Sequence, residues 1–347
     1  MKAVYFQEHG DLEVLKYGDV PDPVAGAGEV VLQIKAAACN FNDIWARKGL
    51  PEVDLPLPHV SGTDAAGVVV DVGPGVDQLR VGDEVVTYPN NTCRVCAACL
   101  SGQEVFCKKF KIWGFQTGPY DGAFAQYAKV QAAQCLPKPG HLSWEDAAAT
   151  STSLLSVYRM LVTRAQTRPG DIVLIWGASG GTGHMAIKLT RLLGAVPVAV
   201  TSTDAKAVFC REMGAEHVII HPREDVLERV RMITDGRGVD LVFDHVGETV
   251  WPISVLCLRW GGKIVICGAT EGFQPTIDLR YLWNKQLTYL GSHIGTHPEW
   301  VECLRLVSQN KIAPTVTEVF ALSDLAAAQR RMETRSLMGK IAIRVDT

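Results

Sequence analysis

Four of the ten cysteines in this 347-residue chain fall within fifteen residues: Cys93, Cys96, Cys99 and Cys107. Two-residue gaps let successive thiolates converge on one tetrahedral ion at about 2.3 Å. Four protein ligands leave no open position for water or substrate, so the pattern predicts a structural zinc rather than a catalytic one. The alternative is four thiols without metal. The other cysteines (Cys39, Cys135, Cys210, Cys257, Cys267, Cys303) are scattered. In a cytosolic chain, clustered cysteines bind metal more often than they pair as disulfides.

A second pattern is Gly177-Ala178-Ser179-Gly180-Gly181-Thr182-Gly183, between an apolar run and a helix-like segment. Glycines there let the backbone approach a pyrophosphate, and a helix N-terminus supplies N–H donors and positive dipole. A glycine-rich turn needed only for tight packing is the plain alternative. The next strand-like run ends Val200-Thr201-Ser202-Thr203, with no acidic residue to bond a ribose 2′-hydroxyl. Asp204 lies further on and reads as a helix cap. Thr201 and Ser202, followed by Lys206 and Arg211, suit a 2′-phosphate and favour NADP(H) over NAD(H). A solvated helix surface is the other reading of those two cations. Gly268, Ala269 and His293, past later strand-like runs, join the candidate cofactor site.

The elements that must position these residues change character near residue 153. Before it the chain is β-rich. VVLQIKAAA (30–38) alternates as a half-buried strand, and 64–88 reads strand, Gly-Pro-Gly turn, strand. Close-spaced short strands suggest a barrel. From 171 onward strands and helices alternate, beginning with the doubly buried run IVLIWGA (172–178) and including a helix over ETVWPISVLCLRW (248–260). That is a doubly wound parallel α/β sheet. Thr296-His-Pro-Glu299 has the form of a capping box with Pro298 in the first turn. Two helices and two strands (VTEVF and GKIAIRV) close the chain.

Composition narrows the class. The net charge of −3 argues against a nucleic-acid surface. With 47% hydrophobic and 20% charged residues, the chain is globular rather than disordered. No apolar run reaches the 18 residues a membrane helix needs, and Glu8 and Asp11 interrupt any signal-peptide core. The expectation is a soluble, cytoplasmic, two-domain protein.

Taken in order, Asn42-Asp43 with Gly49, GTDAAGVVVDVGPGV (62–76), VGDEVV (81–86), the four cysteines and GASGGTG (177–183) resemble the medium-chain dehydrogenase/reductase superfamily, the zinc alcohol dehydrogenase and quinone oxidoreductase group. The resemblance spans essentially the whole chain. It implies a GroES-like β-barrel domain, split in sequence into 1–152 and 294–347, around a Rossmann domain at 153–293, with the active site in the cleft between them. Zinc-dependent members hold a catalytic zinc whose three ligand positions fall here on Asn40, Thr63 and, at or near, Thr152. None is a good zinc ligand. Cys39 is one residue out of register, which in extended chain turns a side chain to the opposite face, and His59 lies four residues early. A rearranged site using those two stays open.

Without a Lewis acid nothing eases alkoxide formation from an alcohol. Zinc-free members of the family mostly use NADPH to reduce activated double bonds in quinones, enones or enoyl thioesters. The alternatives are an alcohol dehydrogenase with an atypical metal site and a cofactor-binding protein with a regulatory role. Asn40-Phe41-Asn42, IWGFQT (112–117), PKPGHLSWEDAAA (137–149), LIWGASGG (174–181), RYLW (280–283) and GSH (291–293) resemble the crotonyl-CoA carboxylase/reductase branch more closely. Its carboxylating members hold carbon dioxide with Asn, Phe, Glu and His. The matching positions are Asn40, Phe115, Gln116 and His293, so an amide replaces the carboxylate. The resemblance thus implies Asn40, Thr63, Asp64, Phe115, Gln116, Thr152 and His293 as site residues. It further implies a small-molecule substrate, such as an acyl-CoA, and a homodimer or homotetramer joined through the cofactor-domain sheet edge. Each residue also has a plain reading: Asp64 as a structural hydrogen-bond hub, Asn40 as a turn residue, Phe115 and Trp113 as packing, His293 as a satisfied histidine.

Overall fold

The computed structural model describes residues 1–51 and 53–346. The chain divides into two units: residues 1–152, 296–308 and 313–347, and residues 153–295 with 309–312.

In the first unit a seven-stranded sheet runs in the order Val316–Ala321, Lys340–Arg344, Glu29–Ala38, Asp64–Val72, Glu84–Thr87, Cys135–Pro137, with Tyr127–Gln131 also paired to Glu29–Ala38. The pairings are antiparallel except the first. The Glu29–Ala38 strand departs from the expected alternation, because Val31 is buried along with Val30, Leu32 and Ile34. Glu29–Ala38 pairs along its edges with Asp64–Val72, Tyr127–Gln131 and Lys340–Arg344, and the burial of both Val31 and its neighbours shows that side chains on both faces of its first half are covered. Val30, Leu32, Ile34, Val69, Trp113, Phe124 and Ile343 belong to one core. Trp113 is a packing residue whose Nε1 donates to the Lys129 carbonyl at 3.1 Å. The expected capping box is present: the Thr296 N–H donates to Glu299 Oε2 at 2.6 Å, opening the His297–Ser308 helix.

The second unit holds a six-stranded, all-parallel sheet in the order His217–Ile220, Val196–Thr201, Ile172–Ile175, Val239–Asp244, Leu258–Ile266, Thr288–Gly291. Strand order reverses between Ile172–Ile175 and Val239–Asp244, the switch point at whose carboxyl ends such sheets bind dinucleotides. Val173, Leu174 and Ile175 are wholly buried, as the continuous apolar run requires. The helix expected over 248–260 is shorter. It covers Trp251–Cys257, and Leu258 already belongs to a strand, where it pairs with Val239. A ladder partner beside Leu258 wins over helical periodicity. One feature left no periodicity signal: the Trp144–Tyr158 helix runs into a π-helical turn at Arg159–Arg164.

Candidate functional site

The first unit brings Asn40, Thr63, Asp64 and Thr152 together around a residue that sequence reasoning missed, Lys340. Asp64 and Lys340 are almost entirely buried. Asp64 Oδ1 accepts from the Thr152 N–H at 2.8 Å and the Thr152 hydroxyl at 2.5 Å. Its Oδ2 accepts from Asn40 Nδ2 at 2.8 Å and Lys340 Nζ at 3.3 Å. Lys340 Nζ also donates to the Cys39 carbonyl at 2.9 Å and to Asn40 Oδ1 at 2.8 Å. Asn40 Nδ2 further donates to Thr63 Oγ1 at 3.1 Å. The Phe41–Lys48 helix begins directly after Asn40, whose N–H donates to Asp43 Oδ2 at 2.7 Å.

Counting hydrogens shows what this arrangement has left to offer. The ammonium carries three, the Asn40 amide two, and the two threonine hydroxyls one each. Those of Lys340, Asn40 and Thr152 all meet an acceptor inside the cluster. The Thr63 hydroxyl receives a hydrogen bond and keeps its own hydrogen. Asp64, with four donors, is a saturated hub. Beside it, burial and the nearby Asp64 charge push the Asp43 carboxyl up to about 7, although the Asn40 N–H, Lys340 and the Gly62 N–H oppose the shift.

The positions that the resemblance pairs with catalytic-zinc ligands therefore do converge, but as an amide and two hydroxyls around a buried ion pair. His59, offered as a substitute ligand, is wholly buried against Phe6 with ring centroids 5.4 Å apart. Burial pushes its imidazole down to about 4. Among the described residues, the four cysteines are the only group of three or more His, Cys, Asp or Glu side chains able to share one ion. Phe115 is buried, and Gln116 Oε1 accepts from the Ile112 N–H at 2.9 Å. His293 belongs to the second unit, where it is exposed just past Thr288–Gly291.

The four sulfurs of Cys93, Cys96, Cys99 and Cys107 all lie within 4.8 Å of one another. Individual separations are 3.9 Å (Cys93–Cys99), 3.6 Å (Cys96–Cys99) and 3.5 Å (Cys93–Cys107). A tetrahedral zinc at 2.3 Å from each sulfur needs about 3.8 Å between them, so the residues fit the ion. Backbone N–H groups of Val95 and Cys96 lower the Cys93 thiol towards the thiolate a metal binds. Glu104, in the same lobe, accepts from the Tyr88 hydroxyl at 3.2 Å and from the His297 N–H, capping the His297–Ser308 helix. No local pattern announces that contact, because Glu104 and His297 are 193 residues apart.

In the second unit, the glycine loop joins Ile172–Ile175 to the Gly181–Leu192 helix, with Gly177 in the left-handed region at φ +56°. A Cβ on Gly183 would sit 2.3 Å from the Gly177 carbonyl oxygen, so only glycine lets the helix start this close to the strand. Ser179 and Thr201 are buried neighbours with their hydroxyls 3.5 Å apart, and Lys206 Nζ donates to Ser202 Oγ at 3.3 Å. The expected Asp204 cap is corrected. Thr203 caps the Asp204–Glu212 helix by accepting from the Lys206 N–H, while Asp204 pairs with Arg223 at 2.5 Å. Ala269, beside Gly268, abuts Gly247, whose added Cβ would lie 2.7 Å from that of Ala269. Sequence reasoning also missed His245, which follows Val239–Asp244 at the switch point. Its Nε2 is buried without a partner, 2.9 Å from where a Gly177 Cβ would be, and burial lowers the imidazole to about 4. The loop, the helix start and the absence of a carboxylate after Thr201 fit a dinucleotide bearing a 2′-phosphate.

Comparison with known proteins follows the same lines. Residues 26–140 match the family described as alcohol dehydrogenase GroES-like domain, and residues 181–309 match zinc-binding dehydrogenase. The crotonyl-CoA reductase of Streptomyces avermitilis is 35% identical over 94% of this chain and 80% of its own length. A crystal structure of an NAD-dependent alcohol dehydrogenase superposes with TM-score 0.95 at 36% identity over the whole of both chains. The 2-octenoyl-CoA carboxylase reductase CinF, in complex with NADP and 2-octenoyl-CoA, superposes with TM-score 0.89 at 34% identity over 99% of this chain and 87% of that one.

Proposed function

The chain belongs to the medium-chain dehydrogenase/reductase superfamily, and on that premise we propose that it reduces an activated carbon–carbon double bond, foremost that of an enoyl thioester, using NADPH and no catalytic zinc. The observation that carries this reading is the Asn40–Thr63–Asp64–Thr152–Lys340 cluster, in which an amide and two hydroxyls stand at the positions matched to the zinc ligands and are tied together by a buried ion pair. When bound, NADPH supplies the hydride. Negative charge then develops on the carbonyl oxygen of the substrate, so the protein needs a positioned donor rather than a Lewis acid. Thr63 is the cluster member with a hydrogen to give, and Lys340 and Asp64 hold Asn40 so that its amide keeps Thr63 Oγ1 occupied as an acceptor. We assign Ser179 and the Gly177–Gly183 loop to the pyrophosphate, and Thr201, Ser202 and Lys206 to the 2′-phosphate. Gly268, Ala269 and His293 remain assigned to the same cofactor site.

One structural zinc on the four cysteines completes the assignment. Carboxylation is not proposed, because Gln116 stands where the carboxylate would be and the Asn40 donors are spent. The alcohol dehydrogenase reading is supported by the likeness to the NAD-dependent enzyme and to alcohol dehydrogenases of Schizosaccharomyces pombe (29% identical) and Geobacillus stearothermophilus (30% identical). We also propose a homodimer or homotetramer joined at the Thr288–Gly291 strand, which among the described residues has one neighbour in its sheet and lies in a unit with exposed Trp260 and Trp283. No helix is long and apolar enough to cross a membrane among the described residues. Stopped-flow oxidation of NADPH against crotonyl-CoA, an enone and a quinone tests the reading, with metal analysis alongside. Turnover of an activated alkene with about one zinc per chain is expected; brisk alcohol oxidation with about two zincs would overturn it.

A further inference from the structure

His245 Nε2 is buried in the second unit with no hydrogen-bond partner among the described residues. Withdrawing such an atom from water without replacing the lost hydrogen bond is unfavourable, so the orphan needs a physical reason. Its surroundings supply one. His245 directly follows Val239–Asp244, and an added Cβ on Gly177 would sit 2.9 Å from Nε2 and 2.8 Å from Cε1. The edge of the imidazole therefore rests on the first glycine of the cofactor loop. The His245 carbonyl accepts from the Thr270 N–H at 3.3 Å, and the Val246 carbonyl accepts from the Glu271 N–H at 2.8 Å. Asp244 Oδ1 fixes the turn by accepting from the N–H groups of Val246 at 2.7 Å and Gly247 at 3.1 Å. His245 is thus held between the glycine loop and the segment that carries Ala269.

Strand order determines which part of a dinucleotide comes to this place. Ile172–Ile175 has Val196–Thr201 on one side and Val239–Asp244 on the other. With the 2′-phosphate at Thr201 and Ser202 and the pyrophosphate on the glycine loop, the adenosine half lies over Val196–Thr201. The other half then crosses the switch point to the carboxyl end of Val239–Asp244, where His245 stands. Burial lowers the imidazole to about 4, although the carbonyls of Trp176, His245 and Gly177 favour its proton, so the ring is neutral at neutral pH. A neutral imidazole has one donating and one accepting nitrogen. Phosphate oxygens only accept, whereas a hydroxyl satisfies Nε2 in either tautomer.

We propose that His245 Nε2 is a cofactor contact, exchanging a hydrogen bond with a hydroxyl of the ribose on the nicotinamide side of the dinucleotide. This contact rests on the NADPH reading and adds a residue to its site. Because Nε2 is closed off in the free chain, the contact forms as the imidazole turns out from beneath Gly177 on binding. A side chain at Gly177 would obstruct that ring, which gives the position a reason to be glycine beyond its φ of +56°.

Calorimetric titration of the zinc-loaded full chain compares NADPH with 2′-phosphoadenosine 5′-diphosphate, which keeps the adenosine half and a diphosphate but lacks the second ribose. His245→Phe keeps a ring without a polar atom. It should weaken NADPH by about tenfold or more and the truncated ligand by less than about twofold, with circular dichroism confirming that it folds. His245→Gln, whose amide reaches where Nε2 does, should bring NADPH back to within about threefold of the parent. Equal losses for the two ligands would make His245 a packing support of the loop, and an unchanged NADPH affinity would leave Nε2 without a cofactor role; either result overturns the contact. Should His245→Phe not fold, NMR of the parent's histidine ring nitrogens applies the same comparison. A His245 signal moved by NADPH and not by the truncated ligand supports the contact, and equal movement overturns it. If the parent binds NADH and not NADPH, the NADPH reading fails by itself, and NADH against adenosine 5′-diphosphate tests the contact in the same way. If it binds neither dinucleotide, the contact falls with the reading.

Discussion

Replacing Lys340 with methionine tests whether the buried ion pair organises the candidate site. The ammonium lies 3.3 Å from Asp64 Oδ2, and both side chains are almost entirely buried. At an effective dielectric near 20 the Coulombic attraction at that distance is roughly 5 kcal/mol, much of it offset by the desolvation of both ions. Removing one partner leaves the other charged, buried and short of a hydrogen bond, which costs about 3–5 kcal/mol. Lys340→Met and Asp64→Asn should each lose about that much in urea unfolding followed by tryptophan fluorescence. The double variant should lose clearly less than the sum, with a coupling of about 2 kcal/mol or more, because neither charge is then stranded. Single-variant losses that add within about 0.5 kcal/mol would show that the pair does not organise the cluster. Asn40 and Thr63 would then lack the fixed hydrogen-bonding roles assigned to them.

Asp43 predicts an unusual pH dependence. Its native carboxyl titrates at about 7, against 3.8 for an unperturbed aspartate, so between those values the native state holds a proton the unfolded chain has released. Stability therefore declines as pH rises from about 4 to about 7, by up to roughly 4 kcal/mol from this group, and Asp43→Asn should flatten that slope in urea titrations. A Gly183→Ala methyl would meet the Gly177 carbonyl oxygen at 2.3 Å, so it should cost about 1–3 kcal/mol and weaken NADPH binding at least tenfold by fluorescence titration. Gly140→Ala, with nothing within 4 Å of the new methyl, should shift stability by less than about 0.5 kcal/mol. Cys99→Ser, or chelation, should remove the single expected zinc by elemental analysis and open residues 93–107 to limited proteolysis.

The chemistry written in local spacing was legible in the chain. Cysteines two residues apart come together within one loop. The glycines of 177–183 can be placed because a buried strand precedes them and a helix follows. The Thr296–Glu299 box needed only its own four residues. Misreadings came where a neighbour distant in sequence outbid a local preference. Leu258 left its helix for a strand partner, and Asp204 went to Arg223, nineteen residues on, while Thr203 opened the helix instead.

The chain by itself determined the alternation that builds two kinds of sheet, the four-cysteine lobe, the glycine loop between strand and helix, and the lack of metal ligands at Asn40, Thr63 and Thr152. Each is a matter of residue type and short-range geometry. Tertiary structure alone decided what occupies the space between those three residues. Lys340 stands 276 positions from Asp64, and antiparallel pairing of Lys340–Arg344 with Glu29–Ala38 sets the ammonium beside the end of that strand. A buried charge is tolerated only where an opposite charge and enough acceptors meet it, and no local pattern reveals a partner brought in by sheet pairing.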